Sequence, residues 1–292
     1  MSGEARPLVF LGTPAAAAVV LERLIAEGFD VRHVVTRPDA KRGRGSQMSA
    51  SPVKEVALQH NISVSHDLKW IEENSIPTML GIVVAYGRII PVDILQRVPM
   101  INIHFSLLPR WRGAAPVERA ILAGDLVTGV CIMDIEESLD TGAVYARREV
   151  KISDSVTAAE LTATLAQCGA DLLVETLRLG LPDPVPQQGE PTYAAKIVRD
   201  ENKINWADSA VSIGRKIRAL RAYAAIGESR VRIIEASISD EVHPVGAVSA
   251  NAVVGTGSGS IQLIRVQPEG KQAMDAASWI RGRPHGESVV FD

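Results

Sequence analysis

Apolar positions in the first half of the chain alternate between two kinds of run. Leu8–Leu11 and Ile82–Ala85 are short and continuously apolar, as buried strands are, and Val31–Val35 and Met100–Ile103 read as further, largely apolar strands. Val20, Leu21, Leu24 and Ile25 instead recur at three- and four-residue spacing, which predicts a helix with one apolar face. Gly12-Thr13-Pro14 turns the first strand into that helix, with Thr13 as the expected N-cap, Pro14 at the first helical position and Gly28 as the stop. A short helix is expected over Ala115–Leu122, with Pro116 near its start and Gly124 past its end. Strands alternating with helices predict an α/β fold built on a doubly wound, mostly parallel sheet.

The pattern then changes. Thr157-Ala158-Ala159-Glu160 has the spacing of a capping box and opens a long helix ending before Gly180, with Leu161, Leu165, Cys168, Leu172 and Leu173 as its core stripe. Leu181–Pro191 holds four prolines in eleven residues, which cannot continue a helix and read as a linker. The expected organisation is an N-terminal domain over 1–182, a linker over 183–203 and a C-terminal domain over 204–292. Ser209–Arg221 reads as a helix. Beyond it, Arg230–Glu235 and Ser260–Val266 alternate as strands do, and Gly255-Thr256-Gly257-Ser258-Gly259 suits a hairpin turn. Short strands with glycine turns predict a small β-barrel.

Composition narrows the function classes. The chain has 292 residues, 46% hydrophobic and 22% charged, enough to bury a substantial core. No apolar run approaches the roughly 18 residues that span a bilayer, and Leu8–Leu11 is too short for a signal-peptide core, so the expected location is the cytoplasm. Cys131 and Cys168 make no disulfide framework and suit small core residues. The six histidines lack metal-ligand spacing, so no metal is expected. Gly12-Thr13-Pro14 lacks the three-glycine fingerprint, which argues against a dinucleotide. A net charge of −3 offers no bulk attraction for nucleic acid, so any RNA partner must meet local basic clusters.

Candidate chemistry concentrates in one segment. Asn102 and His104 stand two apart at a strand end, so their side chains share a face where open α/β sheets bind ligands. An amide that donates to an oxygen, beside an imidazole that moves a proton, suits acyl transfer. Asp140 follows 36 residues after His104 in a turn-like Ser138-Leu139-Asp140-Thr141-Gly142. Together with Ser106–Pro116, these residues resemble the active-site signature of the 10-formyltetrahydrofolate-dependent transformylases. The run Trp111-Arg112-Gly113-Ala114-Ala115-Pro116 is similar to that of the methionyl-tRNA formyltransferase family in particular.

The resemblance extends from about Leu8 to about Met274 and implies several expectations. The activity is transfer of a formyl group from 10-formyltetrahydrofolate, as co-substrate, to the α-amine of methionyl initiator tRNA. The C-terminal barrel resembles an OB-fold that binds tRNA. Asn102, with protonated His104, would donate to the formyl oxygen as negative charge develops there, and Asp140 would orient His104 or take the amine proton through a water. Ser106, Leu107, Leu108 and Pro109 would form one folate-contacting loop, and Tyr86-Gly87 would border the same pocket. Arg37, Lys41, Arg42 and Arg44, cations on a glycine-containing loop, would meet the tRNA acceptor arm. On the C-terminal helix, Arg215, Arg218 and Arg221 can share a face; Arg215 and Arg218 are candidate tRNA contacts, and a solvated helix face is the other reading. From Ile204 onward there are ten Lys/Arg against nine Asp/Glu, so only the helix is basic. A monomer with no membrane association is expected.

Three departures from the family pattern stand out. Phe105 replaces a small residue between His104 and Ser106, and its ring must either crowd the pocket or turn into the core. Ala222–Ile226 replaces a segment containing proline and tryptophan. Asp67–Met79 is short. Two rival readings remain: another formyl-folate transferase or hydrolase, opposed by the basic loop and the barrel, and a non-catalytic folate- or RNA-binding homologue, opposed by the intact Asn102, His104 and Asp140.

Overall fold

A computed structural model describes residues 6–42, 47–283 and 289–292. The chain divides into two compact units. The first comprises Met1–Pro116, Val127–Lys151 and Ala159–Ala195; the second comprises Val117–Leu126, Ile152–Ala158 and Lys196–Asp292.

In chain order the first unit runs β1 (Leu8–Gly12), α1 (Ala15–Ala26), β2 (Val31–Val35), a hairpin of β3 (Ala40–Arg42) and β4 (Gln47–Ser49), α2 (Pro52–Gln59), β5 (Ser63–Ser65), α3 (Lys69–Asn74), β6 (Leu80–Val84), α4 (Val92–Arg97), β7 (Met100–His104) and β8 (Arg112–Gly113). The chain then passes through α5 (Pro116–Ala123), which lies in the second unit from Val117. It returns as β9 (Val127–Asp134), β10 (Val144–Lys151), α6 (Ala158–Arg178) and β11 (Tyr193–Ala194). Seven strands form one sheet in the order β10-β9-β7-β6-β1-β2-β5. The five from β7 to β5 are parallel, and β9 and β10 add antiparallel pairs at one edge.

The two central parallel strands, β1 and β6, carry no polar side chains, as suits strands covered on both faces. Every residue of β1 and β6 is buried. Val9 and Leu11 of β1 pack in one cluster with Ile71 of α3 and Ile94 of α4. The chain moves from β1 outward to β2 and β5, then returns to place β6 on the other side of β1. That reversal sets the carboxyl ends of β1, β6 and β7 side by side, the position where such sheets bind ligands. Helix α1 begins one residue later than its sequence suggests, with Pro14 rather than Thr13 at the N-cap. The Thr13 hydroxyl instead accepts from the Arg37 backbone N–H at 3.4 Å, so it ties the end of β1 to the end of β2.

The proline-rich stretch after α6 is ordered against the first unit. Val185 exchanges two backbone hydrogen bonds with Val144, at 2.8 and 2.9 Å. Further along, β11 pairs with β8 in parallel, Tyr193 with Arg112 and Ala194 with Gly113. Prolines deny this segment a helix, but they leave its remaining backbone groups free to pair with edges already present.

In the second unit, a 3-10 turn (Arg199–Asn202) precedes α7 (Ala210–Ala219). The Ser209 side chain caps α7 by accepting from Ser212 N, as a serine at this position should. There follow β12 (Tyr223–Ile226), β13 (Ser229–Ser239), β14 (Ala247–Val248), β15 (Val253–Gly255), β16 (Ser260–Pro268), β17 (Met274–Asp275), α8 (Ala276–Arg281) and β18 (Val289–Val290). The main path is β12-β13-β16-β15-β14-β18 with β17 on β16, and every pairing is antiparallel. The result is a nearly closed barrel-like sheet around Ile213, Ile217, Val231, Ile233, Ile261 and Leu263. Trp206 stacks on Phe291 at 5.0 Å between ring centroids, anchoring the chain end in this core. Among the described residues, no helix is long and apolar enough to cross a membrane.

Candidate active site

Strand β7 ends where its apolar run meets Ser106 and a cis Leu108–Pro109 bond. Strand alternation separates two sets of side chains. Ile103 and Phe105 face α6, where a Cβ added at Gly169 would lie 2.8 Å from Ile103 Cγ2 and 3.8 Å from the Phe105 ring. Glycine at 169 therefore lets α6 lie close beneath β7. The Phe105 ring turns toward this helix, the core side, and away from the face of Asn102 and His104.

His104 is 5% exposed, and both ring nitrogens have defined neighbours. Nε2 lies 2.9 Å from the Trp111 carbonyl oxygen, which can only accept, so Nε2 carries a proton and donates it. Nδ1 faces Asp140 Oδ2 at 3.6 Å, beyond hydrogen-bond range. The Trp111 carbonyl thus fixes the ring plane and leaves Nδ1 as the nitrogen available for proton movement. Asn102 is partly exposed, and its side-chain amide forms no hydrogen bond among the described residues.

Asp140 lies in the loop between β9 and β10 with φ +54°, a left-handed conformation that aspartate tolerates better than most residues. Its Oδ2 accepts from the Gly113 N–H at 2.8 Å. Gly113 is required there: φ is +122°, and a Cβ would lie 2.8 Å from the Ala194 carbonyl oxygen. The loop is held from a third direction by Gln187. Its Nε2 donates to the carbonyls of Asp140 and Gly142, both at 2.9 Å, and its Oε1 accepts from Arg112 Nε at 3.0 Å and Nη2 at 2.7 Å. Thr192 supports the neighbouring loop: its Oγ1 accepts from Trp111 N at 2.9 Å, and its carbonyl accepts from Arg112 N at 2.9 Å. Gln187 and Thr192 lie in the stretch that reads as a linker. The one sequence signal that could have found them is that polar residues interrupt a proline run that no helix needs.

The other candidate residues are placed unevenly. Ser106 is fully buried and its hydroxyl donates to the Arg110 carbonyl at 2.5 Å, while Leu108 is buried with Cys131, Met133 and Val144. These two side chains shape the loop from within. Leu107 and Pro109 are partly exposed. The Tyr86 ring packs in the core with Val83 and Ile90, and burial raises its phenol pKa. Its neighbours Ala85 and Gly87 are exposed and both have positive φ, so the turn after β6 presents backbone rather than the Tyr86 ring. Arg37 donates to the Gly87 carbonyl at 2.5 Å and so joins the basic loop to that turn.

Lys41 is exposed on β3, and Arg42 ends the same strand. Arg44 lies outside the described residues. On α7, Arg215 and Arg218 line a small cavity with Gly124, Asp125, Ser153 and Asp154. Arg218 donates to the Val156 carbonyl at 3.0 Å, and burial lowers its guanidinium pKa. These two arginines act within their own unit and are not simply spread over a solvated face. Cys131 is buried, Cys168 is partly buried, and burial raises both thiols, as suits packing residues rather than nucleophiles. Among the described residues, no group of three or more His, Cys, Asp or Glu could hold a metal ion.

Two family models match in succession: formyl transferase over residues 6–177, and formyl transferase, C-terminal domain, over residues 196–284. The chain is 38% identical to a methionyl-tRNA formyltransferase of Thermodesulfovibrio yellowstonii, covering 97% of each chain. It is 42% identical to one from Ruegeria pomeroyi, covering 95% of this chain and 97% of that one. Among solved structures, a methionyl-tRNA formyltransferase from Clostridium thermocellum superposes with a TM-score of 0.58 at 15% identity, over 80% of this chain and 93% of that one. A sugar 3N-formyl transferase, WlaRD, has a TM-score of 0.69 at 19% identity, over 92% of this chain and all of that one. At these identities the structures speak for the fold alone, whereas the sequence relatives are close along their full length. The chain belongs to the formyl transferase family, on the branch of the methionyl-tRNA formyltransferases.

Proposed function

We propose that this protein transfers the formyl group of 10-formyltetrahydrofolate to the α-amine of methionyl initiator tRNA, as a cytoplasmic monomer serving translation initiation. Relatives that match 95–97% of its length are named methionyl-tRNA formyltransferase, which supports the formyl-transfer reading. The observation that carries the chemistry is the pairing, on one face of β7, of an unengaged Asn102 amide with a histidine whose Nδ1 alone is available.

A formyl carbonyl needs a hydrogen-bond donor at its oxygen and a proton acceptor near the attacking amine. The residues present fit both needs. When bound, 10-formyltetrahydrofolate supplies a formyl carbon joined to a nitrogen that can leave. Asn102 donates to the formyl oxygen, where negative charge develops as the neutral amine attacks. His104 holds one proton at Nε2 against the Trp111 carbonyl and exchanges the other at Nδ1. Asp140, 3.6 Å from Nδ1, accepts the proton that the amine sheds, directly or through a water, and a proton is returned through His104 Nδ1 to the folate nitrogen, which leaves as its bond to the formyl carbon breaks. No covalent enzyme intermediate is required. The exposed turn at Ala85–Gly87 and the partly exposed Leu107 and Pro109 offer the folate a border of backbone and apolar atoms. Lys41, Arg42 and Arg44 serve the tRNA phosphates, with Arg37 bridging them to the folate side through Gly87.

The test is formyl transfer from 10-formyltetrahydrofolate to methionyl initiator tRNA, with uncharged tRNA and elongator methionyl-tRNA as controls. Transfer to the initiator is the expected result. Folate turnover on another amine or on water, without transfer to tRNA, overturns the substrate assignment.

A further inference from the structure

We propose that Gln187 is a positioning residue for the reaction: it sets the Asp140 carboxylate against His104 by clamping the loop that carries Asp140 to the loop that supplies the partners of His104. Its amide is fully used. Two N–H groups hold the carbonyls of Asp140 and Gly142, and both lone pairs of Oε1 are taken by Arg112. Arg112 lies between Trp111, whose carbonyl orients His104 Nε2, and Gly113, whose N–H binds Asp140 Oδ2. One side chain therefore cross-links the two segments that together determine the separation of Nδ1 from Oδ2.

The clamp has something to restrain. Asp140 and Trp111 both hold positive φ, at +54° and +64°, conformations that persist only where the surroundings enforce them. Gly142 packs closely on the end of β9, where a Cβ would lie 2.1 Å from the Asp134 carbonyl oxygen. Gln187 is itself delivered by backbone pairing on both sides, Val185 with Val144 and Tyr193 with Arg112. A chain segment that folds as a strap thus ends in an amide whose shape matches two carbonyls on one side and a guanidinium on the other.

The inference rests on the formyl-transfer reading, and the experiment lets the two fail separately. Gln187→Glu keeps the acceptor for Arg112 but replaces the N–H donors with an oxygen facing two carbonyls; Gln187→Ala removes both. Misplacement of a reacting group by about 1 Å can cost roughly 100-fold, so kcat should fall about 10- to 100-fold in each variant, with KM for both substrates little changed. In the Asp140→Asn background, Gln187→Ala should alter kcat by less than about twofold, because a residue acting through Asp140 has nothing left to position. Full kcat in both single variants, or an equal loss in the Asp140→Asn background, overturns the proposal. If the wild type transfers no formyl group, the functional reading fails, and the 15N resonance of His104 Nδ1 then decides on Gln187. In Gln187→Ala that resonance should move toward its position in Asp140→Asn; an unmoved resonance overturns the clamp. Circular dichroism at the assay temperature should show both Gln187 variants folded, which excludes unfolding as the cause.

Discussion

His33 should make the first unit acid-sensitive. It lies on β2, 2% exposed, stacked on Trp70 at 4.3 Å between centroids. Ser65 Oγ donates to the Asp67 carbonyl at 2.8 Å and so accepts from His33 Nε2 at 2.9 Å; Nδ1 lies 2.7 Å from Ser63 Oγ. The neutral ring is thus fully satisfied. Burial lowers its pKa from 6.5 to about 4, against a smaller opposing pull from Asp67. The unfolded chain then binds a proton between these values that the folded chain refuses. Stability contributed by the neutral ring is complete above about pH 6.5 and is lost as the pH falls toward 4. At 1.36 kcal/mol per pH unit of displacement, the loss at pH 4 is roughly 3 kcal/mol. The assay is urea unfolding followed by circular dichroism, from about pH 7 down to about pH 4, for the wild type and His33→Gln, which cannot titrate. The variant should be less stable at neutral pH, and the difference between the two should shrink by roughly 3 kcal/mol on acidification. Parallel pH dependences would refute the reasoning, because every other titrating group is common to both chains.

Three further outcomes follow from the site and the barrel. Asn102→Ala should lower kcat for formyl transfer by about 100- to 1,000-fold, the cost of one donor to a developing oxyanion, with folate affinity by equilibrium binding nearly unchanged. Gly113→Ala should destabilise the chain by roughly 1–3 kcal/mol in thermal unfolding, and should also reduce kcat, since its added Cβ pushes on Ala194 and displaces the N–H that holds Asp140. The Arg119–Glu201 pair in the second unit is bidentate, at 2.6 and 3.0 Å, and partly exposed. Arg119→Ala should cost about 1 kcal/mol at neutral pH. Arg119 also depresses the Glu201 carboxyl pKa, so that cost should fade as the pH drops through the Glu201 titration.

Local chemistry along the chain was enough for several of the regular elements. Continuous apolar runs at Leu8–Leu11 and Ile82–Ala85 suit strands of a covered sheet, and the change to short segments with glycine turns after Ser209 suits a small antiparallel barrel. Alternation alone was enough to place Asn102 and His104 on one face, because a strand's side-chain period of two does not depend on what surrounds it. The run Trp111–Pro116 then carried the family. Other features required the folded chain. Which ring nitrogen of His104 stays available depends on the Trp111 carbonyl, seven residues away and turned inward by a positive φ. Ser106 and Leu108 bear the motif's letters yet face the interior, since a loop closing over a strand end must bury one of its own sides. Helical spacing puts Arg215 and Arg218 on one basic face, and only the folded chain shows that Arg215 lies beside Gly124 and that Arg218 donates to the Val156 carbonyl. The proline-rich stretch looked like a spacer because spacing patterns register only neighbours in sequence. Its pairing with Val144 and Arg112, and the four hydrogen bonds of Gln187, span between 41 and 81 residues of chain, and contacts of that separation leave no local period to read.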